Sequence, residues 1–480
     1  MRHWRLAMVL AVGLASAAHA EMIRYQWNGS GDGNWSSAAN WTQLDGTVSG
    51  SGVPLVQNPG VQVPGATDTF TQLQGSGTRS ITVDGQFTIN KLQVEWTRWE
   101  TNNSPYGWRE DGVWRDEFGT SYTDIILTGS TPNARLTIAN SLVLGWGGAN
   151  GGTQANYERV HGSLTANDVD LVVGSPASRA SIWLGRKRWN GNHLSRGTLT
   201  VNGGSFEGYL TDLVIGAHSS VGGGGVGAGT MDLSLASSVN LDVSGSVYLA
   251  SSDLTYGSFR SGTLKIANGT AHVAGNLYLG YITAGETSST TSHDPYKWGN
   301  LYLTNSIFTV DGRAFFGGRQ GQQGWEYNQA RIFVTLDGIG GGLDLANSNA
   351  NALTFKFPVG DAQGREHNKI SITFADDPDL DDYIFGTFWY WGLRWAGDHE
   401  VYLEGLLNES QQRLVINDSG LSDAYRRSSP EDYILYDPLT NYTYIGFQFT
   451  VVPEPSTLAV GLLGLVVCRL RRARARRRKA

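Results

Sequence analysis

The chain has 480 residues, 63 of them glycine and only one cysteine, with a formal net charge of −7 at pH 7. Ten of its 36 Lys and Arg lie in the first twenty and last twelve residues, leaving 26 basic against 43 acidic residues between them. This excludes a general nucleic-acid interface, because phosphate binding rests on clustered Lys and Arg. Cys468, the sole cysteine, lies in the far tail, so the body has no disulfide, no cysteine-based zinc site and no thiol nucleophile.

In chain order, residues 1–20 begin with Arg2 and Arg5, run through the apolar stretch Leu6 to Ala15 and close on Ala18-His19-Ala20. Charge, grease and a small-residue site in that order read as a secretory signal peptide cut before Glu21, with Ala18 and Ala20 at the cleavage site. A short apolar helix is the plain alternative. Segment 21–130 opens on Trp27-Asn28-Gly29, Asn34-Trp35 and Asn40-Trp41, followed by Val63-Pro64-Gly65-Ala66-Thr67-Asp68 and the strand patterns Ile81 to Gly85 and Ile89 to Leu92. It is expected to hold an N-terminal cap and the first coils.

Segment 131–350 is repetitive. Glycines 162, 197, 229, 262 and 299 each precede a short alternating apolar run, at intervals of 35, 32, 33 and 37 residues. A near-constant period marks a repeat architecture. Each unit splits into three period-two strands with Asn or Gly corners, as in Thr198–Val201, Gly204–Glu207 and Asp212–Gly216. Helices are disfavoured, since each interior glycine costs about 1 kcal/mol while Val, Thr and Tyr favour pleated strands. The pattern predicts an all-β parallel β-helix whose coils stack at ~4.8 Å and share one core. Leu199, Val201, Leu264, Ile266, Leu301 and Leu303 should point inward, as should Met231, Leu233, Leu235, Val239, Leu241, Val243, Val247 and Leu249. The rival is a propeller, whose four-stranded blades need roughly 40 to 45 residues and tight hairpins.

From Tyr25 to Gly318 the Trp, Asn-Trp and Pro-Gly-x-x-Asp opening with glycine-rich strands resembles autotransporter-associated β-strand repeat proteins. That resemblance implies a β-helical passenger or surface protein. No transporter barrel follows, so a different route to the surface is expected. Segment 351–451, richer in aromatic and acidic residues, is expected to be a C-terminal β cap or small β-domain that covers the strand edges at the end of a solenoid.

Segment 452–480 runs Pro453-Glu454-Pro455, an apolar stretch Thr457 to Val467, and a basic cluster from Arg469 to Lys479. A helix over Ser456 to Cys468 would span about 20 Å at ~1.5 Å per residue, against a bilayer core of about 30 Å. It is a marginal anchor, with its basic end on the cytoplasmic side. The order of triplet, short helix and arginine cluster resembles the PEP-CTERM sorting signal. The resemblance implies that the protein is held transiently in the inner membrane, recognised at Pro453, Glu454 and Pro455 by an exosortase-type membrane enzyme, and released to the surface or beyond.

Candidate chemistry is sparse. Asp377, Asp379 and Asp381 offer hard oxygen ligands for calcium at alternate positions, but the run lacks the glycine and later glutamate of an EF-hand, and a solvated acidic turn is the plain reading. Trp99, Trp108, Trp114 and Trp189 lie in insertions that mix aromatics with charge, which suits sugar rings; alternatively the rings cover the solenoid flank. Glu207, Asp212, Asp242 and Asp253 could pair as an acid and a base, but no spacing selects a pair. His193, His218, His272, His293, His367 and His399 show no ligand pattern. No P-loop, dinucleotide fingerprint or nucleophile elbow is present, so no catalytic residue and no cofactor is assigned. The expectation is an exported surface or matrix protein, structural or adhesive and touching exopolysaccharide. The alternative is a polysaccharide-binding or polysaccharide-degrading β-helix. Protein from the native host should begin at Glu21 and lack the basic segment after Cys468; intact-mass spectrometry that finds Met1 or Lys479 in the mature species would contradict this.

Overall fold

A computed structural model describes residues 24–27, 33–45, 56–59, 63–65, 70–73, 77–94, 96–100, 123–145, 157–185, 193–216, 225–251, 260–281, 294–317, 326–355, 368–380, 386–408 and 413–451. The signal segment and the sorting tail lie outside these. Among the described residues no helix is long and apolar enough to cross a membrane.

The protein is all-β, with long parallel sheets of 20 and 12 strands, an arrangement consistent with a β-helix. From Gly225 to Phe355 each coil contributes three strands, whereas in some earlier coils the second and third run on as one, as in Arg135–Leu144 and Ser205–Ile215. The first strands, such as His193–Asn202, Gly225–Leu235, Arg260–Ala267 and Asp294–Thr304, pair in parallel along the smaller sheet. The second and third strands of the same coils line the larger sheet. Ser238–Val243 pairs with Gly269–Val273 and then Ile307–Val310, and Val247–Leu249 with Leu277–Leu279 and then Ala314–Phe316. Parallel pairing runs on past residue 350, through Asn368–Phe374 and then Leu414–Asn417 in one sheet and Leu343–Leu345 with Leu393–Trp395 in the other.

The alternating pattern sorts side chains as the sequence predicts. Leu199, Val201, Leu264, Ile266, Leu301 and Leu303 are all buried, as are Met231, Leu233, Val239, Leu241, Val243, Val247 and Leu249. Leu235 is the exception at 68% exposed. Between Thr200 and Asn202 the register against Gly225–Leu235 slips by a residue, so the in-out phase reverses just before the corner and turns Leu235 to solvent.

The repeat glycines stack directly. Gly162, Gly197, Gly229, Gly262 and Gly299 are register partners in successive coils. Each abuts the corner that ends the preceding coil, where Gly145, Gly185, Gly216, Ala250 and Gly280 all take positive φ, between 53° and 64°. Those corners form their own ladder, with Gly185 N donating to Leu144 O at 2.9 Å, Gly216 N to Leu184 O at 2.8 Å and Gly280 N to Leu249 O at 2.8 Å. A Cβ on Gly197 would lie 2.2 Å from Leu144 O and 2.3 Å from Gly185 N, so the backbones touch and leave no room for a side chain. The column continues into Ala330 and ends on Asn368, whose Oδ1 accepts from Ala330 N at 3.0 Å.

At the N-terminal end, Trp27, Trp35 and Trp41 are buried in an edge-to-face cluster with centroids 4.9 and 5.0 Å apart. Trp41 Nε1 donates to Trp35 O at 2.9 Å, and Trp35 N donates to Thr82 O at 2.8 Å, which ties the cluster to the strand Gly77–Val83. Past the stack, the antiparallel pair Gly386–Ala396 and Tyr442–Val451 packs around Phe374, Tyr390, Tyr433 and Phe447, while the helix Glu400–Asn408 lies against Leu414–Asn417 and Ile434–Asp437.

Two substitutions test this packing. Leu264→Asp should be severe, because an unpaired carboxylate in the apolar stack costs several kcal/mol. Gly197→Ala should cost about 1–3 kcal/mol or more by overpacking, although alanine is ordinarily a mild change in a strand. Denaturant unfolding that leaves either variant at wild-type stability would contradict the assignment.

Candidate functional site

The second strands carry a column of outward residues. Tyr209, Asp242, His272, Thr309, Asp344 and Arg394 are successive register partners. Each faces outward because its strand neighbours, such as Leu241 and Val243 or Phe308 and Val310, are buried in the core.

The column is cross-linked by charge. Arg179 Nη2 donates to Asp242 Oδ2 at 2.7 Å, and its Nη1 donates to the carbonyls of Leu210 and Asp242 at 3.2 and 3.1 Å. His272 lies between two carboxylates, with Nδ1 3.4 Å from Asp242 Oδ1 and Nε2 2.8 Å from Asp311 Oδ2. The hydrogen bond from Arg179, above all, holds Asp242 below the usual carboxylate range. Partial burial works against a charged His272 ring, but the bonds to Asp311 and Asp242 outweigh it and raise its pKa. Further along, Asp344 is buried and accepts from Thr309 Oγ1 at 3.1 Å and Arg394 Nη2 at 2.8 Å. The Arg394 guanidinium sits 4.7 Å from the Trp391 ring centre and 5.2 Å from that of Tyr442.

A second column on the third strands is aromatic. Tyr248 stacks on Tyr278 at 5.1 Å and Tyr278 on Phe315 at 5.0 Å, with planes 12° and 7° apart. Asn276 Nδ2 donates to the Tyr278 hydroxyl at 2.9 Å, and Arg313 lies over Phe315 at 5.3 Å. A sugar ring packs on an aromatic face. Here the faces of Tyr278 are taken up by its neighbours, so the stack joins coils and offers solvent mainly ring edges.

The structure gives the three described candidate carboxylates different partners. Glu207 approaches Arg135 at 3.7 Å, and Asp212 Oδ1 accepts from Ser246 N at 2.8 Å, a corner bond. Asp242 is the one that joins a titratable partner, His272, and Asp253 lies outside the described residues. His399 is buried, stacked 3.8 Å from Trp395 with Nε2 2.9 Å from Ala396 O. His193 starts a first strand, while His218, His293 and His367 lie outside the described residues.

In the acidic run, Asp377 Oδ1 accepts from Ser422 N at 2.8 Å and Asp379 N donates to Gly338 O at 2.8 Å, while Asp381 lies outside the described residues. Among the described residues no group of three His, Cys, Asp or Glu is placed to hold a metal ion. Trp99 lies on the strand Trp96–Glu100, opposite Glu158; Trp108, Trp114 and Trp189 lie outside the described residues.

Sequence reasoning missed Arg179, Asp311, Asp344 and Arg394. The available signal was spacing: Asp242 and His272 are 30 residues apart, close to one coil. No protein-family model matches this chain, and no curated protein or solved structure matches it either.

Retaining and inverting glycosidases need one carboxyl kept protonated beside a second that is ionised. Asp242 is held ionised, which matches the second of these two roles, and its charge is offset by Arg179 and His272. The arrangement binds coil to coil. Tyr278→Ala removes three ring stacks, on Tyr248, Tyr281 and Phe315, each contributing roughly 0.5–1.5 kcal/mol, so unfolding should show a loss of about 1.5–4.5 kcal/mol; unchanged stability would mean that the stack contributes nothing.

Proposed function

We propose that this chain is an exported cell-surface or extracellular-matrix protein, structural or adhesive, whose body is a parallel β-helix. In this reading the tryptophan cluster and the C-terminal strands and helix cap its two ends. Residues 1–20 export it, the helix after Pro455 tethers it briefly in the inner membrane, and an exosortase-type enzyme acts at Pro453, Glu454 and Pro455. Exopolysaccharide is the proposed contact, through Trp99, Trp108, Trp114 and Trp189. The observation that carries the scaffold reading is that the outward charged and aromatic residues pair with one another along the stack. Side chains used this way lend lateral stability to a long body and leave few reactive groups free.

A second reading, a polysaccharide-degrading β-helix, draws on the one place where carboxylates and a base converge, Asp242, His272 and Asp311. Function belongs to a site and not to a fold, so the two readings are separated by assay. Incubating residues 21–451 with a panel of polysaccharides, and measuring both retention and new reducing or unsaturated ends, distinguishes them. Retention weakened by Trp108→Ala or Trp189→Ala without turnover is expected. Turnover abolished by Asp242→Asn or Asp311→Asn would overturn the structural reading in favour of catalysis, and absence of both retention and turnover would remove sugar contact.

A further inference from the structure

We propose that Asp242, His272 and Asp311 form a protonation-dependent clip that joins three successive coils and opens on one side when the ring loses its charge. The three residues belong to different coils: Asp242 to the strand Ser238–Val243, His272 to Gly269–Val273, and Asp311 to the corner after Ile307–Val310. The clip is independent of the proposed sugar contact through the tryptophans, although it uses the residues on which the second reading draws.

The geometry carries the argument. Each ring nitrogen of His272 faces a carboxylate oxygen, Nδ1 toward Asp242 at 3.4 Å and Nε2 toward Asp311 at 2.8 Å. An ionised carboxylate only accepts hydrogen bonds, and a neutral imidazole has one N–H and one lone pair. Only the imidazolium can donate to both. When the proton leaves, the shorter contact keeps its N–H, so Nε2 stays bonded to Asp311 and the Nδ1 lone pair is turned against Asp242 Oδ1. Asp242 keeps Arg179 at 2.7 Å and needs no rearrangement of its own. Opening is therefore one-sided: the junction with the Asp242 coil loosens while that with the Asp311 coil holds.

The groups facing the ring are few. Toward the N-terminal coils lie Asp242, with Arg179 on it and Tyr209 beyond. Toward the C-terminal coils lie Thr309 and Asp311, with Asp344 paired to Arg394 further along and Tyr442 near enough to feel the charges of Asp311 and Asp344. Among these, His272 is the group that titrates near neutrality.

The signs give the pH window. The folded His272 pKa lies above its ordinary 6.5, so its contribution is complete below that value and is lost as pH rises through the folded pKa. The folded Asp242 pKa lies below its ordinary 3.8, so its contribution is present above that value and is lost as pH falls through the folded pKa. The clip is fully closed between about pH 4 and about 6.5 and opens as pH rises through the raised His272 pKa.

Backbone bonds across the two junctions report the opening. Ala274 N donates to Val243 O and Gly275 N to Gly245 O across the Asp242 side, while Asp311 N donates to Val273 O and Gly312 N to Gly275 O across the other. Hydrogen exchange of the full chain, corrected for intrinsic rates and compared at about pH 5.5 and about pH 8.5, should show protection falling several-fold at Ala274 and Gly275 and little at Asp311 and Gly312. In His272→Gln this pH-dependent difference should vanish. The His272 ring signal, assigned by its loss in that variant, should titrate above the ordinary histidine value in wild type and move down in Asp311→Asn. Equal pH dependence in wild type and His272→Gln, symmetric loosening of both junctions, or a ring titrating at or below the ordinary value would each overturn the clip. Should His272→Gln fail to fold, the Asp311→Asn titration and the wild-type exchange asymmetry still decide the matter.

Discussion

The contact on which the rest of this structure depends is the approach of backbone to backbone where each coil passes the corner of the one before it. A first-strand glycine sits against the amide of the preceding corner and the carbonyl of the corner one coil further back, and the preceding corner turns through a left-handed conformation. Both halves favour glycine, one because a Cβ would overlap main-chain atoms and the other because positive φ disfavours L side chains. Ala250 takes the left-handed corner without being glycine, which costs about 1–2 kcal/mol, so the ladder tolerates one strained residue among several unstrained ones. With the corners aligned, the coils superimpose and their hydrogen bonds fall into register.

Superimposed coils turn a local rule into a global one. Alternation along a strand sends every second residue inward, and stacking aligns those residues into apolar columns that no single coil could bury alone. The same stacking aligns the outward residues, so a side chain on the flank meets the side chains of the coils on either side. Tyr248, Tyr278 and Phe315 form a face-to-face pile for that reason, and Arg179, Asp242, His272 and Asp311 form a charged chain. Isolated surface ion pairs contribute little to stability, whereas a connected series repeated along a rigid wall does more. Along these columns of described residues the outward charges and rings pair largely with one another. In the proposed clip, His272 ties that wall to the acidity of its surroundings.

Much of the fold was legible in the chain. The glycine spacing marked the coils, and Leu199, Val201, Leu264, Ile266, Leu301 and Leu303 were placed inward by alternation alone, since a period of two leaves only two faces. Leu235 was misplaced because a register slip depends on how two strands meet, which neither strand's own pattern contains. The Trp27, Trp35 and Trp41 motif was visible as a resemblance, but its service as a buried aromatic cluster over the first coil was not.

The site was harder to read, and the reason is distance along the chain. Asp242 and His272 were noted separately, and Arg179, Asp311, Asp344 and Arg394 were not singled out. Arg179 and Asp242 are 63 residues apart, and Asp344 and Arg394 are 50 apart, so nothing local connects them. The sequence by itself determined what depends on one residue and its near neighbours: the strand period, the glycine corners, the low basic content of the body and the signals proposed at its two ends. The tertiary structure alone decided which outward residues share a column, because side-chain neighbours on a stacked sheet are set by inter-coil register, a property of two segments and of neither alone.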